Sequence, residues 1–174
     1  MGKYSFTVED DVDGLSYNFR TPVCSVVVFF NPHAYGEYLE KYTFLSKNTW
    51  GLSIFSVPHI CDNHYSADVR IRNTIISIIE DFFEGQGSDS VLLYHCDSAD
   101  GKQGKRSKKF ERWYQNSGLT DTMEKHEIEF TVESDSDESQ QNYFGFIGVK
   151  SNPHFTEVKN EFDEFARSLA FLDK

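Results

Sequence analysis

Apolar and polar residues alternate from Lys3 to Glu9, with Tyr4, Phe6 and Val8 on one face, and again from Leu15 to Arg20 through Leu15, Tyr17 and Phe19. A period of two is that of a half-buried strand, and Asp10-Asp11-Val12-Asp13-Gly14 between the two runs supplies a loop closed by Asp-Gly, so the pair predicts a β-hairpin. Cys24 to Phe30 is instead a continuous β-branched and aromatic run, the pattern of a strand covered on both faces. Asn31-Pro32 then offers a helix N-cap with proline at the first helical position, followed by Tyr35, Tyr38, Leu39 and Tyr42 at helical spacing. Alternation returns through Trp50, Leu52, Ile54 and Val57 and stops at Pro58.

The strongest helical pattern runs from about Ala67 to Glu84. Ile71, Ile75, Ile78, Ile79 and Phe82 form its stripe, Ser66 is the candidate cap, and Gly85 and Gly87 supply the stop. Val91 to Cys96 reads as a short buried strand, followed by a loop and a basic helix. His126 to Val132 and Tyr143 to Val149 predict two more strands, separated by the polar stretch Glu133 to Asn142. The last helix begins near Asn152-Pro153 and carries Phe155, Val158, Phe162, Phe165 and Leu169 on one stripe, which should dock against the sheet. The order β-β-β-α-β-α-β-α-β-β-α predicts an α+β fold with a mixed, largely antiparallel sheet of about seven strands and about four helices. With no internal repeat and no long linker, residues 1–174 read as a single α+β domain.

At 39% hydrophobic and 16% aromatic, the 174 residues exclude wholesale disorder and can fill a core without disulfide or metal staples. The longest apolar run, Val26 to Phe30, is far short of the roughly 20 residues of a membrane helix, and Met1 to Phe6 lacks a signal-peptide apolar region. No membrane association and a cytoplasmic location are therefore expected. Cys24, Cys61 and Cys96 are an odd number, which favours free thiols, and Cys24 and Cys96 end apolar runs as small core residues do.

Charge changes the picture once it is divided along the chain. Lys+Arg 17 against Asp+Glu 28 leaves a net charge of -11. Between Asp97 and Tyr114, however, Lys102, Lys105, Arg106, Lys108, Lys109 and Arg112 outnumber Asp97, Asp100 and Glu111 by three, so the remaining residues carry -14. The whole chain opposes nucleic acid, and any anionic partner, nucleic acid included, is confined to residues 97–114.

That segment is a strand, a loop with two glycines and a basic helix, which suits an anion cradle. Glycine lets backbone N–H groups approach a ligand, and the first helical turn favours negative charge. Gly101, Lys102, Gly104, Lys105, Lys109 and Arg112 are the candidate ligand-binding residues. The spacing is neither a Walker loop nor a dinucleotide fingerprint, and Gly101-Lys102-Gln103-Gly104 follows a strand rather than joining two helices as the KH loop does. At about 100° per residue, Lys105, Lys108, Lys109 and Arg112 share one arc, while Arg106 falls between Phe110 and Trp113. If the aromatics face the core, Arg106 turns inward with them and needs a carboxylate. Asp97 and Asp100 are the nearest in sequence, and the three are expected to form a structural clamp.

Cys96-Asp97-x-x-Asp100-Gly101-Lys102, with Arg106, Lys109, Phe110 and Trp113-Tyr114, resembles the signature of a family of small uncharacterised proteins from Bacteroidetes-type bacteria. The resemblance implies a bacterial, cytoplasmic protein and brings no assigned activity and no catalytic residue.

Other chemistry has less support. Asp10, Asp11 and Asp13 lack the remaining oxygen ligands and late glutamate of a calcium loop. His59, Cys61, His64, His95 and Cys96 lack the paired spacing of structural zinc sites. His95 and Cys96 are strand neighbours pointing to opposite faces, so the histidine is badly placed to activate the thiol, and no Gly-x-Ser-x-Gly elbow is present. The aromatic stripes read as core, and stacking on single-stranded nucleic acid is confined to Trp113 and Tyr114. Acidic Glu133 to Glu138 reads as a solvated loop. The sequence favours a binding or interaction module, without metal or cofactor, contacting an anionic small molecule or a protein partner through residues 97–114. The alternative is a metal-assisted hydrolase or phosphoryl-transfer enzyme using Asp97 and Asp100. No pattern fixes an oligomeric state.

Overall fold

The computed structural model describes residues 2–59, 68–96, 100–132 and 140–172. The alternating N-terminal runs form β1 (Phe6–Asp11) and β2 (Gly14–Arg20), and the β-branched run forms β3 (Cys24–Asn31). Two one-turn helices, α1 (Gly36–Leu39) and α2 (Leu45–Asn48), lead to β4 (Thr49–Pro58), α3 (Val69–Gln86) and β5 (Val91–Cys96). Then come α4 (Gln103–Gln115), a 3-10 turn (Leu119–Asp121), β6 (Met123–Val132), β7 (Gln140–Val149) and α5 (Phe155–Leu172). The strands make one seven-stranded sheet in the order β1-β2-β3-β4-β5-β7-β6. Every pairing is antiparallel except β4 with β5, which are parallel and joined through α3. This is the mixed, largely antiparallel α+β fold the periodicities predict.

Because side chains alternate across a strand, the sheet has two separate cores. On one face, Tyr17, Phe19, Val26, Val28, Phe30, Leu92 and Cys96 pack with Ile75, Ile78, Ile79 and Phe82 of α3, and with Phe110 and Trp113 of α4. The Phe30 and Phe82 rings stack with centroids 4.3 Å apart. On the other face, Val91, Leu93, Phe144 and Phe146 meet Val158, Phe162 and Phe165 of α5, with Leu39, Tyr42 and Leu45 beside them. β5 alternates between the two cores: Leu92 and Tyr94 face one, Val91 and Leu93 the other.

Several boundaries depart from the sequence pattern. In β3, Cys24, Val26, Val28 and Phe30 are buried, but Ser25, Val27, Phe29 and Asn31 are only half-buried. β3 is thus covered on one face rather than two, because the second helical layer packs on β5 and β7. β4 pairs with β5 only through Thr49, Trp50 and Gly51. Beyond that joint Phe55 and Val57 are 55% and 61% exposed, so the alternation of this run does not mark a fully covered strand.

The expected helix after Asn31-Pro32 is split. Asn31 closes β3, and its Oδ1 accepts the N–H of His33 at 2.7 Å, forming a turn in place of a helix cap. A carboxylate from the far end of the chain then starts the second piece: Glu161 of α5 accepts from the N–H groups of Thr43, Phe44 and Leu45 at 3.0, 2.9 and 2.9 Å. α3 is capped by Asp68, which accepts from Arg70 N–H at 2.9 Å and from the Tyr4 hydroxyl at 2.5 Å. The expected cap, Ser66, lies outside the described residues. Gly85 is inside α3, and the helix stops at Gly87, whose φ of +95° suits glycine. β6 and β7 each begin three residues earlier than alternation suggests, because hairpin pairing carries Met123, Glu124 and Lys125 into the sheet opposite Val149, Gly148 and Ile147, and polar Gln141 and Asn142 opposite Thr131 and Phe130. Cys24 and Cys96 are buried free thiols, and Cys61 lies outside the described residues. No helix among the described residues is long and apolar enough to cross a membrane.

Replacing Glu161 with alanine should remove a carboxylate that three backbone N–H groups share. Hydrogen bonds to charged acceptors put the loss at about 2 kcal/mol, read as a lower melting temperature with the far-ultraviolet spectrum retained. An unchanged melting curve would show that α2 starts without it.

Candidate functional site on the basic helix

α4 is entered through Gly101, which has φ +66°. Just before it, Asp100 Oδ1 accepts the N–H of Lys102 at 3.1 Å, and Arg106 donates to both carboxylate oxygens, Nη1 to Oδ1 at 2.8 Å and Nη2 to Oδ2 at 2.5 Å. Arg106 holds the Asp100 carboxyl below the usual carboxylate range. The structure thus brings Asp100 and Arg106 together, while Asp97 lies outside the described residues. Arg106 does not turn inward as its place between Phe110 and Trp113 suggests: its side chain is 46% exposed. The inward polar position belongs to its neighbour Ser107, which is buried.

Two of the candidate cradle residues are engaged in the fold. The Lys102 N–H is directed to Asp100, and Gly104 lies in the first turn of α4 rather than in the loop. A side chain at Gly104 would begin 3.5 Å from the Tyr143 hydroxyl of β7.

Beneath α4 runs a row of three residues across three strands. Tyr94 of β5 lies opposite Gly145 of β7, which lies opposite Glu127 of β6. A Cβ on Gly145 would sit within van der Waals distance of the Tyr94 ring, so only glycine lets the phenol cross over β7. The ring reaches β6, where its hydroxyl donates to Glu127 Oε2 at 2.7 Å. Ser107 donates to Glu127 Oε1 at 2.5 Å, pinning α4 to the same carboxylate.

Two residues along β6 on this face, Lys125 is 3% exposed and carries its ammonium 2.8 Å from Glu111 Oε2 and 3.5 Å from Glu127 Oε2. Gln115 donates to the second Glu111 oxygen at 2.8 Å. The Lys125 bond keeps the Glu111 carboxyl below its ordinary range, while burial and then the Glu127 charge hold the Tyr94 phenol well above its own. Burial, with Glu127 adding to it, pushes the Cys96 thiol up to about 11. Cys96 is therefore a neutral core thiol, and His95 points to the opposite face, near Asn142 and Phe144.

Between α4 and β6 lies an open cleft of about 620 Å³, lined by Ser107, Lys108, Glu111, Arg112, Lys125 and Glu127 among others. The cations around it fall into two kinds. Arg106 and Lys125 are held by carboxylates. Lys105, Lys108 and Arg112 are exposed and make no ion pair among the described residues, and Lys109 lies 4.9 Å over the Trp113 ring. Sequence reasoning places the basic arc but misses Tyr94, Ser107, Lys125, Glu127 and Gly145. One signal was present: an isolated glycine between Phe144 and Phe146 in a strand marks a close approach of another group.

Among the described residues no three His, Cys, Asp or Glu side chains gather as a metal site would need. His59 instead bonds within the sheet, its ring 3.1 Å from Ser25 Oγ, while Cys61 and His64 lie outside the described residues.

Fold and site together describe an α+β protein in which a basic helix is bolted by its inward serine to one end of a seven-stranded sheet. Residues 67–164, over half of the chain, match a family of unknown function, DUF6169, and the chain belongs to that family. No curated protein and no solved structure matches it. The matched segment runs from the start of α3 into α5, so it contains the Tyr94-Gly145-Glu127 row and α4, and leaves β1 to β4 outside.

Replacing Lys125 with methionine should leave the Glu127 carboxylate, whose side chain is 15% exposed, without its cation and cost about 2 kcal/mol in urea unfolding, while solvent takes over at half-exposed Glu111. Arg106→Met removes a pair that solvent already screens and should move the transition far less. Equal effects would contradict this division. With its pKa at about 11, Cys96 should stay unlabelled by iodoacetamide at pH 8 in the native protein and react once urea unfolds it. Labelling of Cys96 in the native protein, mapped by mass spectrometry, would contradict the buried neutral thiol.

Proposed function

We propose that this chain is a non-enzymatic binding module that holds an anionic group, phosphate or carboxylate, on the outer face of α4 and the mouth of the adjoining cleft. The observation that carries the reading is the sorting of cations. Those with a structural task are satisfied by carboxylates, whereas Lys105, Lys108 and Arg112 stand exposed on successive turns without an ionic partner among the described residues. Side chains three and four apart on a helix are neighbours, so these groups form a ladder of donors along one face. The acidic remainder of the chain repels anions elsewhere and steers them to this strip. A bacterial, cytoplasmic setting belongs to the same proposal and rests on the resemblance of residues 96–114.

Asp100 argues for binding over metal-assisted hydrolysis. Its charge is already paired with Arg106, which bonds both oxygens, so a metal would compete with a guanidinium for the carboxylate.

The test is calorimetric titration of inorganic pyrophosphate into the full chain and into the Lys105→Gln/Lys108→Gln/Arg112→Gln variant. Binding should weaken about tenfold or more in the variant, and wild-type binding should weaken as salt rises. Affinity that ignores both the substitutions and salt would place any anion site elsewhere.

A further inference from the structure

The cleft has charge of both signs, arranged in layers. Lys108, Glu111, Arg112 and Gln115 follow one another at helical positions i, i+3, i+4 and i+7, which puts all four on the side of α4 that faces β6. Lys108 and Arg112 are exposed and make no ion pair among the described residues, which leaves their donors facing the cleft. Glu111 sits between them and is 48% exposed. Its two oxygens each accept one hydrogen bond, from Lys125 and from Gln115, and a carboxylate accepts about four in all. Deeper in, Lys125 and Glu127 close the floor and are satisfied by each other, Tyr94 and Ser107.

A simple anion meets the two open cations but leaves the free acceptors of Glu111 facing it, at a cost in repulsion. A ligand that also carries an ammonium group answers both. We infer that the α4–β6 cleft binds a small zwitterion, with a phosphate or carboxylate between Lys108 and Arg112 and an ammonium against Glu111. The inference rests on the anion-binding reading above and adds the second group. The cleft's size of about 620 Å³ is that of a small-molecule site, and its floor is held in place before any ligand arrives by the row that Gly145 permits. The Lys125 ammonium shows which chemistry the Glu111 carboxylate accepts, since it already approaches from the buried side at 2.8 Å.

Phosphoethanolamine, inorganic phosphate, ethanolamine and β-alanine serve as probes in titration calorimetry on the full chain. Phosphoethanolamine should bind about tenfold or more tightly than phosphate, and ethanolamine alone should not bind measurably. β-Alanine distinguishes the anion: binding comparable to phosphoethanolamine identifies the site as one for carboxylate zwitterions, and absence of binding restricts it to phosphate. Glu111→Gln should abolish the advantage of phosphoethanolamine over phosphate while phosphate binding persists, and Arg112→Gln should weaken both. Melting curves of each variant confirm that it is folded, and the ligand comparison on the wild-type chain needs no variant. Phosphate and phosphoethanolamine binding equally, with dependence on Arg112, would overturn the zwitterion site and leave the anion-binding reading intact. No binding of either would overturn both.

Discussion

Three residue pairs join the two halves of this sheet. Thr49, Trp50 and Gly51 of β4 lie beside Val91, Leu92 and Leu93 of β5, and they are the sheet's parallel contact. To one side is the antiparallel run β1 to β4, and to the other β5 with the β6–β7 hairpin. So short a ladder holds because α3 bridges it. Phe82 stacks on Phe30 of β3 and meets Trp50 of β4 edge-on at 5.4 Å, and the same helix shares its core with Leu92 of β5. β5 carries the burden from both faces, which is why it reads Val-Leu-Leu-Tyr with no polar interruption. The joint also has a cost: past Gly51 the two strands are no longer paired, and Phe55 and Val57 remain exposed.

A second constraint follows from the first. With β5 in the middle, a side chain on it can interact with β6 only by crossing β7, and Gly145 is the opening through which Tyr94 does so. Glu127 then receives hydroxyls from a strand and from a helix, and this shared acceptor sets the rotation of α4 about its axis. Once Ser107 points inward, Lys108 and Arg112 overlook the cleft and Arg106 is left at the surface with Asp100. Lys125, itself buried, offsets the charge of the poorly solvated Glu127 and reaches out to the half-exposed Glu111. Such a network rigidifies the wall of the cleft because each member would be costly to leave unpaired.

The elements most legible in the sequence are those whose own periodicity buries them. The isoleucine stripe of α3 and the phenylalanine stripe of α5 are each buried in one of the two cores. The basic arc of α4 is legible for the complementary reason, since charge without an apolar stripe marks a solvated face. The break between α1 and α2 is not legible, because the group that accepts from the three backbone N–H groups is Glu161, more than a hundred residues away. Arg106 misleads for a related reason. Its angular position is right for an inward residue, but the adjacent serine has a partner on β6, and that partner decides the helix's rotation.

Local composition and spacing by themselves determine the seven strands and three long helices of the described residues and the basic face of α4 on a chain of net negative charge, because those properties depend on residues close to one another in sequence. Only the tertiary structure decides that β3 is covered on one face, that Gly145 opens a passage for Tyr94, and which cations of α4 and β6 pair with carboxylates and which stand exposed. Each of these depends on a partner from a distant element, and pairing between distant elements leaves no periodic trace along the chain.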